Sequence, residues 1–437
     1  MITTLVALLA WLAPAMPQQT PAGTALGPES FDMRVVTTGL AGPWELLVGP
    51  DRALWATERT GKRITRVDPA DGAKTVLVEI PDVLQSVQQD GLLGMAIDGN
   101  NVYVAMTYDA DAGPAVTRRM KIRRYAYDAA AKTLGHPADI LDNLPAGSDH
   151  LSGRLALGPD RKLYLTLGDG GKNQLAVYCQ PIEAQVLPTA ADVAARDWPK
   201  VYQGKILRID LDGSIPSDNP TIAGVRSHIY SYGHRNSQGL AFGPDGKLYA
   251  SEHGPSVDDE LNRIQAGKNY GWPYVAGYQD DRAYSYQNWA AAPNCASLKW
   301  DAIVAPASVP QQKESAWHGA DFVPPIQTFF TVSSDYDFKT GNATIAPSGI
   351  DVYHVRQGGI PGWADSVLVT GLIRGVVYRV KLNAAGTAAD DAPLAYFRQD
   401  DRYRDLALSP DGRTIYVATD PSSALHKGAI VAFTYRP

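Results

Sequence analysis

The stretch from residue 228 to residue 281 carries three groups that could bind ligands. Residues 234–236 (His-Arg-Asn) combine a fixed positive charge with polar side chains, and residues 253–255 (His-Gly-Pro) offer main-chain carbonyls. Residues 258–260 (Asp-Asp-Glu) add three carboxylates to the same predicted loop. Calcium binds carboxylate and carbonyl oxygens, whereas arginine binds anions. The stretch therefore predicts a site that holds both a metal and an anion.

A second candidate is the polar loop that carries His150, directly before a predicted strand. A histidine in such a loop can act as a general base near neutral pH. Asp169 follows the next predicted strand, within the run 167–171 (Leu-Gly-Asp-Gly-Gly). A carboxylate there could orient the imidazole and hold its tautomer. The alternative interpretation of the glycine-rich run is a simple turn, and it lacks the Gly-Lys-Ser/Thr of a phosphate-binding loop.

Arg402 and Arg404 are two residues apart, so in a strand both side chains would point to the same face. Adjacent guanidinium groups repel unless an anion lies between them, and a carboxylate or phosphate is the natural occupant. Arg235 would be a third cation for the same anion. Structural ion pairs are the alternative. Their candidate partners are Asp400, Asp401 and Asp405.

A repeated unit must position these residues, namely a tight turn followed by a short apolar strand. These strands lie at 54–57, 102–104, 163–166, 248–250, 366–370 and 415–417, and the fifth lacks the turn. A second strand follows each of them, at 63–67, 120–127, 205–209, 260–264, 376–382 and 429–435. Most of these alternate polar and apolar residues, as half-buried strands do. Six copies predict an all-β fold, a six-bladed β-propeller of four-stranded antiparallel sheets.

The spacing of the copies is uneven, and the longest gap, 251–367, predicts a substantial insertion. Residues 280–345 are rich in Ala, Pro, Tyr and Trp and are expected to form a lid or an interface over the top face of the ring. We expect residues 26–437 to form a single propeller domain with this insertion.

The first 25 residues differ from the rest. Residues 5–12 are apolar, and residues 13–15 (Ala-Pro-Ala) offer a small-x-small cleavage signal. Residues 1–25 are therefore interpreted as a secretory signal peptide with a tether, although no Lys or Arg precedes the apolar run. Eight apolar residues are too few to span a bilayer. The protein is expected to be periplasmic or secreted, without a membrane span.

The composition is that of a globular protein, with 437 residues, 45% hydrophobic and 20% charged. The net charge of -6 argues against general nucleic-acid binding, so any basic site must be local. Cys179 and Cys295 could pair in an oxidising compartment. Two free thiols are equally compatible with the sequence, and the spacing of the cysteines does not match a zinc site.

Several motifs, in order, resemble those of the soluble periplasmic glucose dehydrogenases that use pyrroloquinoline quinone. The resemblance extends over residues 31–435, with its most specific runs at 149–154, 204–208, 211–216, 233–236, 269–273 and 402–405. It implies a six-bladed propeller with the quinone flat over the ring and calcium beneath it. It also implies oxidation of the C1 hydroxyl of aldoses to lactones, an external electron acceptor and a possible homodimer.

The resemblance also implies roles for individual residues. The catalytic positions are His150, Asp169 and Arg235. His150 matches the base that takes the C1 hydroxyl proton while hydride passes to the quinone, and Asp169 would orient it. The cofactor-binding positions are Gln89, Asp149, Arg235, Asn236, Thr344, Arg402 and Arg404. The positions near the sugar are Gln174, Leu175 and Asp149. The calcium positions are the carbonyls of Gly254 and Pro255 at the quinone, and Glu260, Tyr270, Ala276 and Asp280 near the dimer interface.

Three residues depart from the family pattern. His253 replaces a Gln, Ile373 replaces a Lys on the quinone, and Asn342 replaces a Trp above the sugar. The missing Lys removes a cation from the cofactor, and the missing Trp removes an apolar wall from the sugar site.

Two alternatives to the dehydrogenase hypothesis are left open. A calcium-dependent propeller hydrolase, such as a lactonase, would need carboxylates that point down a central channel to one metal. A propeller that has lost catalysis and only binds sugar or protein would be consistent with Ile373, because propellers host enzymes and binding scaffolds alike.

Overall fold

The computed structural model describes residues 24–111, 113–341 and 343–437, and its strands form six four-stranded antiparallel sheets. The predicted all-β, six-bladed propeller is confirmed. The predicted signal peptide lies almost wholly outside the described residues, as does Asn342. No helix in the described ranges is long and apolar enough to cross a membrane.

The first strand is β1 (Ser30–Thr37). Blade 1 consists of β2 (Pro43–Val48), β3 (Leu54–Glu58), β4 (Arg63–Val67) and β5 (Lys74–Glu79). Blade 2 consists of β6 (Leu92–Asp98), β7 (Asn101–Asp109), β8 (Arg118–Asp128) and β9 (Thr133–Pro145). Blade 3 consists of β10 (Ser152–Leu157), β11 (Leu163–Leu167), β12 (Lys205–Ile209) and, after the hairpin of β13 (Thr221–Ile222) and β14 (Val225–Arg226), β15 (Ile229–Tyr232).

Blade 4 consists of β16 (Ser237–Phe242), β17 (Leu248–Glu252), β18 (Asp259–Ile264) and, after the hairpin of β19 (Tyr286–Gln287) and β20 (Gln311–Gln312), β21 (Gln327–Phe329). Blade 5 consists of β22 (Pro347–Tyr353), β23 (Ser366–Gly371), β24 (Val376–Lys381) and β25 (Leu394–Tyr396). Blade 6 consists of β26 (Tyr403–Leu408), β27 (Thr414–Thr419), β28 (Ile430–Arg436) and β1.

The short helices lie in loops. The two α-helices, α1 (Ala190–Ala195) and α2 (Trp198–Val201), lie between β11 and β12. Thr189 caps α1 in a capping box with Asp192. The 3₁₀ helices are Leu175–Val177, Trp289–Ala291, Cys295–Ser297, Glu314–Ala316 and Phe338–Thr340.

The ring closes because the first strand completes the last blade. β1 pairs antiparallel with β28, from Ser30 opposite Arg436 to Thr37 opposite Ile430. The innermost strands β2, β6, β10, β16, β22 and β26 each contact the innermost strands of both neighbouring blades. The strand pairs predicted from the sequence are the second and third strands of the blades. The innermost and outermost strands were not predicted.

A bulge occurs near the start of every innermost strand. The register shifts between Pro43 and Leu46 in β2 and between Ser152 and Leu155 in β10, and the other four strands shift at the equivalent place. Bulges twist a strand locally and re-aim its side chains. The repeated bulge therefore marks one face of the ring, where the chain enters each blade.

The insertion lies between β18 and β21, and it contains the β19–β20 hairpin and three of the 3₁₀ helices. β21 pairs with β18, so part of the range 280–345 belongs to blade 4 itself. Cys179 and Cys295 form a disulfide that joins the insertion to the β11–β12 loop. Of the two possibilities that the sequence left open, a disulfide and two free thiols, the structure shows the disulfide.

Candidate active site

The candidate site lies on the face of the ring where the innermost strands begin. His150 comes two residues before β10, Asn236 directly before β16, and Arg402 directly before β26. Because each second strand is antiparallel to the first, it ends at the same face, which brings Asp169 after β11 close to His150. The repeat of the fold therefore gathers residues from every part of the chain.

A central cavity of about 410 Å³ opens on this face. Its lining includes six predicted site residues: Gln89, Asp149, His150, Asn236, Arg402 and Arg404. The predicted cofactor residue Thr344 lies outside this lining, and its hydroxyl donates to Asp259 (2.6 Å). The structure thus brings most of the predicted cofactor positions together around one space.

His150 and Asp169 form a buried pair. The ring nitrogen Nδ1 of His150 lies 2.7 Å from Oδ1 of Asp169. An ionised carboxylate only accepts hydrogen bonds, so Nδ1 donates and Nε2 is the basic nitrogen. Burial alone would raise the pKa of Asp169, but the charge and hydrogen bond of His150, together with Arg235 and the Gly171 amide, hold it below its usual value.

Two more donors fix the Asp169 carboxylate. Trp272 donates from Nε1 to Oδ2 (2.8 Å), and the Gly171 amide donates to Oδ1 (2.9 Å). Trp272 was missing from the predicted site, although it lies in the motif 269–273. Both oxygens of Asp169 are therefore held while it orients His150.

The backbone around His150 is tightly constrained. A Cβ at Gly168 would lie 1.8 Å from the carbonyl oxygen of His150, so only glycine fits there. His150 itself has a φ of 44°, in the left-handed region that non-glycine residues rarely adopt. Such strain is typical of functional sites, where surrounding contacts hold the conformation.

Gln174 connects His150 to Arg235. Its Nε2 lies 3.1 Å from Nε2 of His150, and its Oε1 lies 3.4 Å from Nη2 of Arg235. Gln174, Leu175, Arg235 and Pro255 line a second cavity of about 560 Å³, which the insertion walls with aromatic rings. Of the predicted sugar-binding residues, Gln174 and Leu175 thus line the second cavity, whereas Asp149 lines the central cavity with the arginine pair.

Arg404 is held by three partners. It donates to Gln238 (3.2 Å), Ser348 (3.3 Å) and Asp420 (3.1 Å), and burial lowers its pKa to about 10 against the attraction of Asp420. Nε of Arg402 is buried without a hydrogen-bond partner in the described ranges.

Two of the three acidic partners suggested by the sequence are engaged elsewhere. Asp405 binds Arg154, and Asp401 binds His426. Asp420, which the sequence analysis did not single out, is the observed partner of Arg404. Arg404 therefore has a structural ion pair, whereas Nε of Arg402 has no hydrogen-bond partner among the described residues and is available for an anion.

Arg154 lies across the centre of the ring. From β10 it binds Glu45 on β2 (2.8 Å) and Asp405 on β26 (2.9 Å), and it donates to the main chain of Gln238. Burial raises the pKa of Glu45 to about 8, although the Arg154 charge opposes this. The carboxylates that point to the axis are thus bound by an arginine. This arrangement disfavours the hydrolase alternative, which requires them to bind a metal.

The loop at Gly254 is folded back on itself. A Cβ at Gly254 would lie 1.8 Å from the carbonyl oxygen of Val257, so the turn requires glycine. The Gly254 amide donates to Asp259 (2.9 Å), and Asp259 also accepts from the amides of Ile345 and Ala346. This network fixes the loop whose carbonyls are the predicted ligands of the first calcium.

The predicted second calcium site is an acidic cluster. Glu260 accepts from Gly277 (2.6 Å) and Asn262 (2.6 Å), and Ala276 donates its amide to Glu314 (3.0 Å). Burial, together with the charges of Glu314 and Asp280, raises the pKa of Asp258 to about 8. Asp258 was predicted only as part of the carboxylate run 258–260, and Glu314 was not predicted.

Tyr270 is oriented differently from the acidic side chains. Its hydroxyl donates to the Arg263 carbonyl and its ring stacks on His234, so only its main chain is available to the cluster. Within the described residues, no three His, Cys, Asp or Glu side chains converge as metal ligands. Main-chain carbonyls would have to complete a calcium site there.

Two of the departures from the family pattern can be located. Ile373 is 2% exposed, and its neighbour Leu372 lines the central cavity, so blade 5 presents an apolar surface there. His253 lines the same cavity, and burial together with the charges of Arg235 and His150 lowers its pKa to about 3. The His253 ring is therefore neutral at physiological pH.

Comparison with known proteins identifies the family. The model of the family described as glucose / sorbosone dehydrogenase matches residues 40–328 and 333–427. The chain belongs to this family. It is 42% identical over 439 residues to quinoprotein glucose dehydrogenase B of Acinetobacter calcoaceticus, covering 93% of this chain and 92% of that protein.

Two further proteins are similar to this chain over most of its length. The aldose sugar dehydrogenase YliI of Escherichia coli is 27% identical over 409 residues, covering 91% of this chain and 92% of that one. The PQQ-bound aldose sugar dehydrogenase from Streptomyces coelicolor matches with a TM-score of 0.66 and 29% identity, covering 94% of this chain and 99% of that one. The resemblance predicted from the sequence motifs is confirmed.

Proposed function

We propose that the protein is a quinoprotein aldose dehydrogenase, which binds pyrroloquinoline quinone and calcium and oxidises the C1 hydroxyl of aldoses to lactones. The observation that carries this proposal is the His150–Asp169 pair, in which His150 lines the same cavity as Arg402 and Arg404. The names of the relatives, quinoprotein glucose dehydrogenase and PQQ-bound aldose sugar dehydrogenase, support it.

The residues of the central cavity fit an anionic quinone. Within the described residues, three arginines and two carboxylates line the cavity, which leaves an excess of positive charge. Nε of Arg402 and Nε2 of His253 are buried without hydrogen-bond partners in the same ranges, and buried polar atoms are normally paired. The carboxylates of the quinone would bind the arginines, and Gln89, Asp149 and Asn236 would contact it from the other blades. When bound, the quinone supplies the hydride acceptor.

His150 performs the proton transfer in this proposal. Its Nε2 takes the proton of the C1 hydroxyl, displacing the contact with Gln174, while Nδ1 keeps its bond to Asp169. The Asp169 carboxylate stabilises the imidazolium that results. Gln174 and Leu175 hold the sugar in the second cavity, and the Arg235 guanidinium lies next to the same Gln174.

The calcium roles rest on the loop after β17 and on the acidic cluster. We assign the carbonyls of Gly254 and Pro255 to a calcium that would polarise the quinone as a Lewis acid. The second site would use Glu260, Tyr270, Ala276 and Asp280. Asp258 and Glu314 lie in the same cluster, and the repulsion among these carboxylates is what a divalent cation relieves.

The test is reconstitution. Protein purified without cofactor is mixed with the quinone, with or without calcium, and dye reduction is followed with a panel of aldoses. We expect turnover that needs both additions. His150→Ala should bind the quinone but lower kcat by about 10²- to 10⁴-fold, the usual contribution of a general base. His136→Ala, an exchange of an exposed histidine on β9, is the control and should retain full activity. Failure of the wild type to bind quinone would overturn the proposal.

The remaining expectations accompany this function. Export to the periplasm or beyond would suit an enzyme that passes electrons to an external acceptor. A homodimer would place the second calcium site near its interface. Export is tested by N-terminal sequencing of the exported protein, and dimer formation is tested by sedimentation with and without calcium.

A further inference from the structure

Arg59 occupies a position that recurs in four blades. The first residue of the innermost strand pairs with the last residue of the second strand: Pro43 with Glu58, Ser237 with Glu252, Pro347 with Gly371, and Tyr403 with Thr419. The residues that follow the second strands are Arg59, His253, Leu372 and Asp420, and all four line the central cavity. Arg59 is therefore directed to this cavity by the symmetry of the fold.

The guanidinium of Arg59 is anchored by one nitrogen. Nη1 donates to the carbonyl oxygens of Gln88 and Asp90. Nε and Nη2 have no hydrogen-bond acceptor among the described residues. Burial lowers the pKa of Arg59, while Asp420 and Asp90 act in the opposite direction. Arg59 thus brings a partly desolvated charge with free donors to the cavity.

The charges around Arg59 are not balanced. Arg59 and Arg402 both repel the Arg404 charge, and Asp420 is the carboxylate that partly offsets the charges of Arg404 and Arg59. Asp149, the other acidic residue of the lining, accepts from the His150 amide. A buried cluster of this kind favours an anion with more than one carboxylate.

Among the described residues that line the cavity, blade 5 contributes no cation. Its equivalent position is Leu372, and the next residue, Ile373, is buried. Blade 1 carries Arg59 at the position where blade 5 carries Leu372. Compared with the family pattern, blade 5 lacks the Lys that Ile373 replaces, whereas Arg59 supplies a positive charge from blade 1.

We propose that Arg59 is a cofactor-binding residue, which binds a carboxylate of the anionic quinone together with Arg402 and Arg404. The proposal rests on the proposed function, because it names a residue for the same cofactor. It accounts for quinone binding in a chain whose blade 5 presents Leu372 and Ile373 instead of a cation.

The test measures equilibrium binding rather than activity. Apo-protein with calcium is titrated with pyrroloquinoline quinone, followed by the absorbance of the bound quinone, at several salt concentrations. Arg59→Gln should raise Kd by about 10- to 100-fold, the usual effect of losing a charged hydrogen bond. It should also make Kd less dependent on salt, because one charge no longer contributes. Arg59→Lys should lie between wild type and Arg59→Gln, since it keeps the charge but not the fork of donors.

The control is Arg161→Gln, which removes an exposed arginine that pairs with Asp98 on the surface. It should bind like the wild type. If the wild type binds no quinone, the proposed function fails. If the wild type binds and Arg59→Gln binds equally well, only the role of Arg59 fails. Weaker binding with an unchanged salt dependence would also overturn it, because Arg59 would then act by holding the loop of Gln88 and Asp90.

Discussion

Asp169→Asn is the sharpest test of the catalytic pair, because it removes one charge and changes little volume. In the wild type, Oδ1 accepts from His150 and Gly171, and Oδ2 accepts from Trp272. In the variant, the amide oxygen should keep the Oδ1 position, since two donors need it. The amide nitrogen would then face Nε1 of Trp272, and two donors would oppose each other.

The expected loss of activity follows from the geometry. An oxygen 2.7 Å from Nδ1 places the centres of the two charges about 4 Å apart, where the attraction is about 4 kcal/mol at an effective dielectric constant of about 20. This charge acts only when His150 becomes an imidazolium. The loss should therefore appear in kcat, by about 10³-fold at 1.36 kcal/mol per tenfold. Quinone binding should be unchanged.

A double-mutant cycle separates charge from donor conflict. Trp272→Phe removes the opposing donor, so Asp169→Asn should cost less stability in that background, by about 1–3 kcal/mol. It should not recover kcat, because the charge is still missing. The assays are steady-state kinetics with saturating quinone and thermal unfolding. Recovery of kcat in the double variant, or a loss below about tenfold in the single one, would refute the charge argument.

Two further predictions concern stability. Replacing both Cys179 and Cys295 by Ser should lower the free energy of unfolding by about 2–5 kcal/mol, because the bond closes a loop of 116 residues; equal denaturation midpoints for variant and wild type would contradict this. Burial lowers the pKa of His228 from 6.5 to about 4. Between these values His228 is protonated in the unfolded chain but not in the folded chain, so the free energy of unfolding should fall as pH falls from about 6.5 to about 4. The shift is worth about 3 kcal/mol, and His228→Gln should flatten the pH dependence of unfolding over this window, whereas the exposed His136→Gln should not.

The fold was predictable because its repeat is local. Each turn with its apolar strand occupies only about ten residues. Six copies of this unit, each followed by a second strand, can close a ring without free edges. The innermost strands were not predicted for two reasons. Bulges break their alternation of polar and apolar residues, and some residues that face the axis, such as Arg154 on β10, are polar. The disulfide was undecidable from spacing alone, since the insertion that carries Cys295 has no repeat to place it.

The site residues also differ in whether the sequence alone could predict them. Residues in contiguous motifs, such as His150 and Arg404, were predicted because the motif itself is specific. Asp420 and Arg59 were missed because each stands alone in the sequence and becomes part of the site only through its register.

That register could have been used in advance. In four blades the last residue of the second strand lies opposite the first residue of the innermost strand, and the residue after it lines the central cavity. A search of the sequence for charged residues at the ends of the second strands would have found Arg59 after Glu58 and Asp420 after Thr419. A residue that departs from the family pattern in one blade, such as Ile373, should therefore be compared with the equivalent positions of the other five blades. Only then can a loss of function be inferred.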